Sequence, residues 1–288
     1  MNAAALALKA VAMATSGSAA VDAEFLHALG DLAGSSLIAL GAYIAATKAP
    51  SMRFPFGLGR AVYALSLIAS TLIAGFLTAL AAVAGLEKLA TSSPVVAGDA
   101  PAALLAATAL DSAVLYLGIR ESRGGVFDPS TRWVLIENSM DLLGNAAALT
   151  SLALLSTAID AYASFTIAAL LATSSSSLAY RSFLVLVGVS APRNVVGRLI
   201  KVAASHPDVI DVDDVRTMVI EPGKYLAIMR VEFREGTTVD RVEEAKREIA
   251  DAVRRVEPGV EYLIIEAVPP EGEATTFLEL LAKLRGPG

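Results

Sequence analysis

The sequence contains no cysteine, which excludes disulfides, thiolate metal sites and a cysteine nucleophile. Aromatic residues make up only 6%, with a single tryptophan, Trp133, so a cavity walled by aromatic rings for an organic cation is disfavoured. Basic residues are the minority. The net charge of −6 and an isoelectric point near 5.1 argue against a nucleic-acid partner. Charge of either sign is scarce up to about residue 190, where long runs of Ala, Leu, Val and Ile dominate. Residues 1–20 lack the basic start and cleavage pattern of a secretory signal, so the first apolar run is read as retained. What the chain does have is hydrophobicity: 55% apolar residues and a mean hydropathy of +0.60, too much for an ordinary soluble domain. The contrast on either side of residue 190 points to a membrane part followed by a soluble part.

A membrane-spanning helix needs roughly 20 mostly apolar residues. Six segments are assigned on that rule: 3–20, which is short, then 23–46, 61–86, 101–117, 133–155 and 162–178. The expected fold is therefore a six-helix transmembrane bundle over residues 1–180. A small α+β domain of order α-β-β-α-β follows over 190–270, and a tail over 271–288 with a short helix at 277–284. The connectors alternate in charge. Lys48, Arg53 and Arg60 fall in one, Arg120, Arg123 and Arg132 in another, and Arg181, Arg193, Arg198 and Lys201 follow the sixth segment. The intervening stretches 16–22, 91–100 and 156–161 carry no Lys or Arg. Positive charge marks the cytoplasmic side, so both termini and the soluble domain are expected there, in a multi-pass protein of the cell membrane.

The soluble part shows its own periodicities. Residues 194–204 place Val195, Val196, Leu199, Ile200 and Ala203 on one helical face. Segments 212–220 and 225–233 read as strands around a Pro222-Gly223 turn. Thr238 is the expected N-cap of a helix reaching Val256, and 261–268 reads as a third strand. His206 lies in a loop with Pro207 and Asp208, without a second His or Cys, and is read as a surface histidine.

Five ionisable residues fall deep inside apolar segments: His27, Asp31, Asp111, Glu137 and Asp141. Lys9 is expected to reach the cytoplasmic interface, Asp22 and Glu24 to sit at the outer mouth of the second span, and Asp160 in a connector. Each charge at bilayer depth costs about 2.5–3.5 kcal/mol on the milder insertion scales. His27 and Asp31 are four residues apart, as are Glu137 and Asp141, so each pair shares a helical face. Two such pairs facing each other make a four-ligand cage for a divalent cation. One nitrogen and three carboxylates suit Zn(II), and admit Mn(II), Fe(II), Co(II) or Cd(II). Asn138 and Asp111 are accessory candidates: an added oxygen ligand, and a proton-relay or supporting group. The ion is cargo, and no cofactor or catalytic group is expected. Two other readings stay open. One is a non-transporting membrane scaffold or metal sensor, dimerised by its soluble domain, whose buried charges only bind helices together. The other, an organic-cation transporter, ranks below it.

Three stretches resemble the cation diffusion facilitator family of divalent-metal exporters. Gly17-Ser18-Ala19-Ala20 leading into His27-Ala28-Leu29-Gly30-Asp31 is similar to the family's first loop and second helix. Phe54-Pro55-Phe56-Gly57-Leu58-Gly59-Arg60 resembles the signature that opens its third helix. Leu135-Ile136-Glu137-Asn138-Ser139-Met140-Asp141 resembles its fifth-helix metal segment, and the Glu137 variant is similar to the zinc transporter nine branch. The resemblance implies a cation/proton antiporter rather than an enzyme, and a homodimer joined through a ferredoxin-like or metallochaperone-like cytoplasmic domain. It also marks departures: Arg53, Phe54 and Leu58 stand around positions where the loop often carries histidine. Arg230 and Glu266 stand where some members carry histidine ligands in the soluble domain.

Overall fold

Alanine- and leucine-rich segments without interior proline favour helix, and in the first two thirds of the chain they form little else. The computed structural model describes residues 2–122 and 129–269, without the side chains of 121–122 and 129–137. The expected tail helix at 277–284 and the side chains of Arg123, Asp128, Arg132, Trp133 and Glu137 lie outside the described residues. The chain divides into two units. One comprises Met1–Ala42 with Val62–Phe183, the other Tyr43–Ala61 with Leu184–Gly288.

The first unit is helical. Its elements are α1 (Asn2–Thr15), α2 (Ala19–Thr47), α3 (Ala61–Leu72), α4 (Thr78–Thr91), α5 (Ala100–Ser122), α6 (Pro129–Leu154) and α7 (Thr157–Val187). A π turn, Ile73–Leu77, joins α3 to α4 in one continuous rod, and Thr78 Oγ1 donates to the Ile73 carbonyl across it at 3.1 Å. Proline falls only in the first turn of α5 and α6, where its missing N–H costs nothing. Among the described residues, four helices are long and apolar enough to cross a membrane: Ala19–Thr47, Ala61–Thr91, Ala100–Arg120 and Thr157–Val187. Helix α1 is shorter, at 14 residues. The interior is built from small side chains, with Ala12, Ala20, Ala23, Ala81, Ala148 and Ala163 around Leu104, Leu152 and Ile167. Large apolar groups such as Ile68, Leu72, Phe76, Leu105 and Leu143 point outward. Small residues inside and large ones outside is the arrangement expected of helices packed in lipid.

The second unit is a two-layer α/β module. Strands β1 (Val209–Glu221) and β2 (Lys224–Phe233) form an antiparallel hairpin, with Gly223 in the left-handed conformation at its turn. Strand β3 (Val260–Val268) pairs parallel to β2 after the crossover helix α9 (Val239–Val256). Helices α8 (Arg193–Ala204) and α9 close one face over Met229, Val231, Ile249, Val253 and Leu199. Thr238 caps α9, its hydroxyl accepting from the Arg241 N–H at 3.4 Å. Arg230 and Glu266 face each other across β2 and β3 at 3.5 Å, so the departure from histidine there is an ion pair. The segment 43–61 belongs to this unit. Arg60 donates to the Val219 carbonyl at 2.9 Å, and the Phe56 ring meets Tyr262 edge-on at 5.2 Å.

Candidate metal centre

Helix α2 presents Glu24, His27 and Asp31 along one face, three and four residues apart. Its start is fixed by Asp160 of α7. That fully buried carboxylate accepts from the Ser18 hydroxyl at 2.5 Å and from the backbone N–H groups of Ala19 and Ala20 at 2.8 and 3.3 Å. Ser151 of α6 also donates to it, and Lys88 of α4 lies 3.7 Å away, itself bonded to the carbonyls of Gly17 and Pro94. An anion at a helix N-terminus satisfies amides that have no partner within the helix. Asp160, expected in a connector, is therefore a buried cap that ties α4, α6 and α7 to the start of α2.

The structure brings His27, Asp31 and Asp141 together. One ligand atom from each lies within 4.8 Å of the others. His27 Nε2 stands 3.3 Å from Asp141 Oδ1 and 3.9 Å from Asp31 Oδ1. Zinc bonds of about 2.0–2.2 Å place neighbouring ligand atoms about 3.3–3.6 Å apart in a tetrahedron. The first separation already fits, and the second needs a few tenths of an ångström. Asp141 Oδ1 is buried without a hydrogen-bond partner. Glu137 lies one helical turn before Asp141 on α6, but its side chain is outside the described residues. Asn138 is half-buried on the same helix. Asp111 of α5 stays outside the three-residue group and accepts from Asn145 Nδ2 at 2.8 Å.

Besides Asp160, Lys9 and Glu24 contradict their sequence reading. Lys9, expected at the cytoplasmic interface, is only 2% exposed: its Nζ lies 2.8 Å from Glu24 Oε2 and 3.7 Å from Asp111. Glu24, expected at the outer mouth, is fully buried. Each charge makes the other's burial tolerable. The sequence signal was available in the coincidence of one acid and one base at similar depth on adjacent helices, but either alone reads as an interfacial group. Gly30 faces the π turn, where an added Cβ would meet Leu77 and Ile73 at 3.2 and 3.3 Å, and Ser35 and Ser36 are exposed. Gly144 of α6 does adjoin α2, directly against Glu24.

His27, Asp31 and Asp141 form a three-residue group that could hold a metal ion, between helices of an apolar bundle. Residues 1–187 match the family model described as the cation efflux transmembrane domain. The chain belongs to the cation efflux family, the cation diffusion facilitators, and is a multi-pass membrane protein. It is similar to the proton-coupled zinc antiporter SLC30A9, mitochondrial, of Mus musculus, with 28% identity over 252 residues, covering 81% of this chain and 44% of the relative. The Xenopus laevis protein of the same name is 28% identical over 260 residues, covering 84% and 46%. The chain thus spans under half the length of these relatives. Among solved structures, a nickel form of a MamM CTD variant is 22% identical, with a TM-score of 0.27, over 28% of this chain and all of that one. A second MamM CTD variant is 24% identical, with a TM-score of 0.26, over 27% and 94%.

Proposed function

We propose that this chain exports a divalent cation, Zn(II) first among the candidates, through a centre formed by His27, Asp31, Asp141 and Glu137. The observation that carries this reading is a contrast between fully buried charges that are paired and the half-buried carboxylates of Asp31 and Asp141. Lys9 and Glu24 neutralise each other, and Asp160 is surrounded by donors. Asp31 and Asp141 converge instead on a single imidazole, and an Asp141 oxygen is left without a donor. Carboxylates that face one another at low dielectric repel unless a cation or protons join them. The relatives named as proton-coupled zinc antiporters support both the ion and the exchange. Alternating access exposes the centre to each side in turn, and protons on His27 and one carboxylate replace the ion's charge on the return.

Six spans with both termini in the cytoplasm accord with the basic connector 48–60 and the uncharged-or-acidic connectors 16–22, 91–100 and 156–161. The sheet unit is the proposed site of homodimerisation. The test is zinc flux into proteoliposomes under an imposed pH gradient, comparing the parent with Asp31→Ala and Asp141→Ala. Both variants are expected to lose pH-driven flux. Flux that survives both substitutions removes the centre, and flux absent from the parent favours the scaffold.

A further inference from the structure

Glu24 has two oxygens in different situations. Oε2 is held by the Lys9 ammonium at 2.8 Å. Oε1 is buried without a hydrogen-bond partner. It faces, at 3.9 Å, the Nδ1 atom of His27, which is also buried without a partner. The opposite ring nitrogen, Nε2, is the one turned towards Asp141 and Asp31. The space for Oε1 is made by the neighbouring helix. A Cβ on Gly144 would fall 2.0 Å from that oxygen, so any other residue there displaces it.

Two unpartnered polar atoms, fully buried and facing each other, are costly to leave apart. An imidazole that ligates a metal through one nitrogen commonly donates its other N–H to a carboxylate, which fixes both tautomer and ring orientation. We propose that Glu24 is the positioning residue of the metal centre. Its Oε1 accepts the Nδ1–H of His27, which commits Nε2 to the transported ion, and Lys9 anchors the carboxylate from the other side. The gap closes by about 1 Å, to an ordinary N–H···O distance of about 2.9 Å, when the ring turns towards the ion. This inference rests on His27 being a ligand, the reading proposed above. The simpler role for Glu24 is to neutralise a buried lysine and nothing more.

The chain has only two histidines, so ¹⁵N-histidine labelling of the purified full chain gives two imidazole spectra, and His206→Gln assigns them. With Zn(II) added, His27 is expected as the Nδ1–H tautomer with Nε2 bound. Binding through Nδ1 overturns the proposal. Two double variants separate positioning from neutralisation, because both remove the ion pair. Lys9→Met with Glu24→Gln keeps an acceptor for Nδ1–H and is expected to hold zinc within a few-fold of the parent. Lys9→Met with Glu24→Leu removes the acceptor and is expected to weaken zinc binding by about 10–100-fold and to alter the visible spectrum of bound Co(II). Equal binding by the two doubles, whether retained or lost, refutes the positioning role. If zinc leaves the His27 signals of the parent unmoved, and Asp31→Ala and Asp141→Ala bind like the parent, the metal centre itself fails instead.

Discussion

Replacing Asp160 by asparagine tests how firmly the start of α2 is held. The carboxylate takes bonds from Ser18, Ala19, Ala20 and Ser151, with Lys88 at 3.7 Å. Asparagine keeps one acceptor oxygen and turns an NH2 group towards donors that need an acceptor. It also leaves the Lys88 ammonium, 6% exposed, without its counter-charge. Removing one partner of a buried ion pair costs about 3–5 kcal/mol, and the unmatched donors alone about 1–3. Lys88 retains the carbonyls of Gly17 and Pro94, so we expect a loss of about 3 kcal/mol for Asp160→Asn. In Asp160→Asn with Lys88→Met the orphaned ammonium is gone; the donor mismatch remains, about 1–2 kcal/mol, and the Gly17 and Pro94 carbonyls lose their donor, a loss that Lys88→Met alone also carries and that cancels in the cycle. A double-mutant cycle on reversible unfolding in detergent micelles should therefore give a coupling above about 1 kcal/mol. Additivity within about 0.5 kcal/mol would show that the two residues do not act together and would refute the reasoning.

Other perturbations probe other layers. Gly30→Val drives a branched side chain into Ile73 and Leu77 of the π turn, and overpacking of this kind costs about 1–3 kcal/mol, read from the same unfolding assay. Ile249, 1% exposed under the sheet, should cost about 2–5 kcal/mol on truncation to alanine, measured by urea unfolding of the sheet unit. Glu248 bonds His206 and Arg241, and those partners hold its carboxyl below the usual glutamate value. A depressed carboxyl contributes stability that is present above the unfolded value and lost as pH falls through the folded one. Melting of the parent should therefore drop more than that of Glu248→Gln on acidification from about pH 5 to about pH 3, by a small margin because the side chain is exposed.

The helices and the sheet unit were legible because their patterns are local. Period two in Met229, Val231 and Phe233 marks β2, and the spacing of Val242, Ala245, Ile249 and Val253 marks α9. His27 and Asp31 were legible as a pair because four residues is one helical turn, and the same holds for the placement of Asp141 on α6. Lys9, Glu24 and Asp160 were not, because their burial depends on partners 15 and more than 100 residues away. A long side chain near the end of an apolar segment reads as interfacial until a neighbour of opposite charge is known. The π turn was also hidden: Ile73–Leu77 has the composition of the helix around it.

That turn has a bearing on how one long rod stays seated. Ser66 receives the Ser182 hydroxyl at 3.0 Å, while Gly85 lies so close to α7 that a Cβ there would come within 2.8 Å of Phe165. Nineteen positions separate them, and at about 100° per residue an unbroken α-helix would swing the second contact about a quarter-circle off α7. The extra residue wound into the π turn takes back about one residue's rotation, which restores the alignment. Shortening the chain by one residue at Gly75 would straighten the rod without disturbing either end's phase, whereas the same deletion a turn to either side would leave the surplus in place and twist one end away from its neighbour.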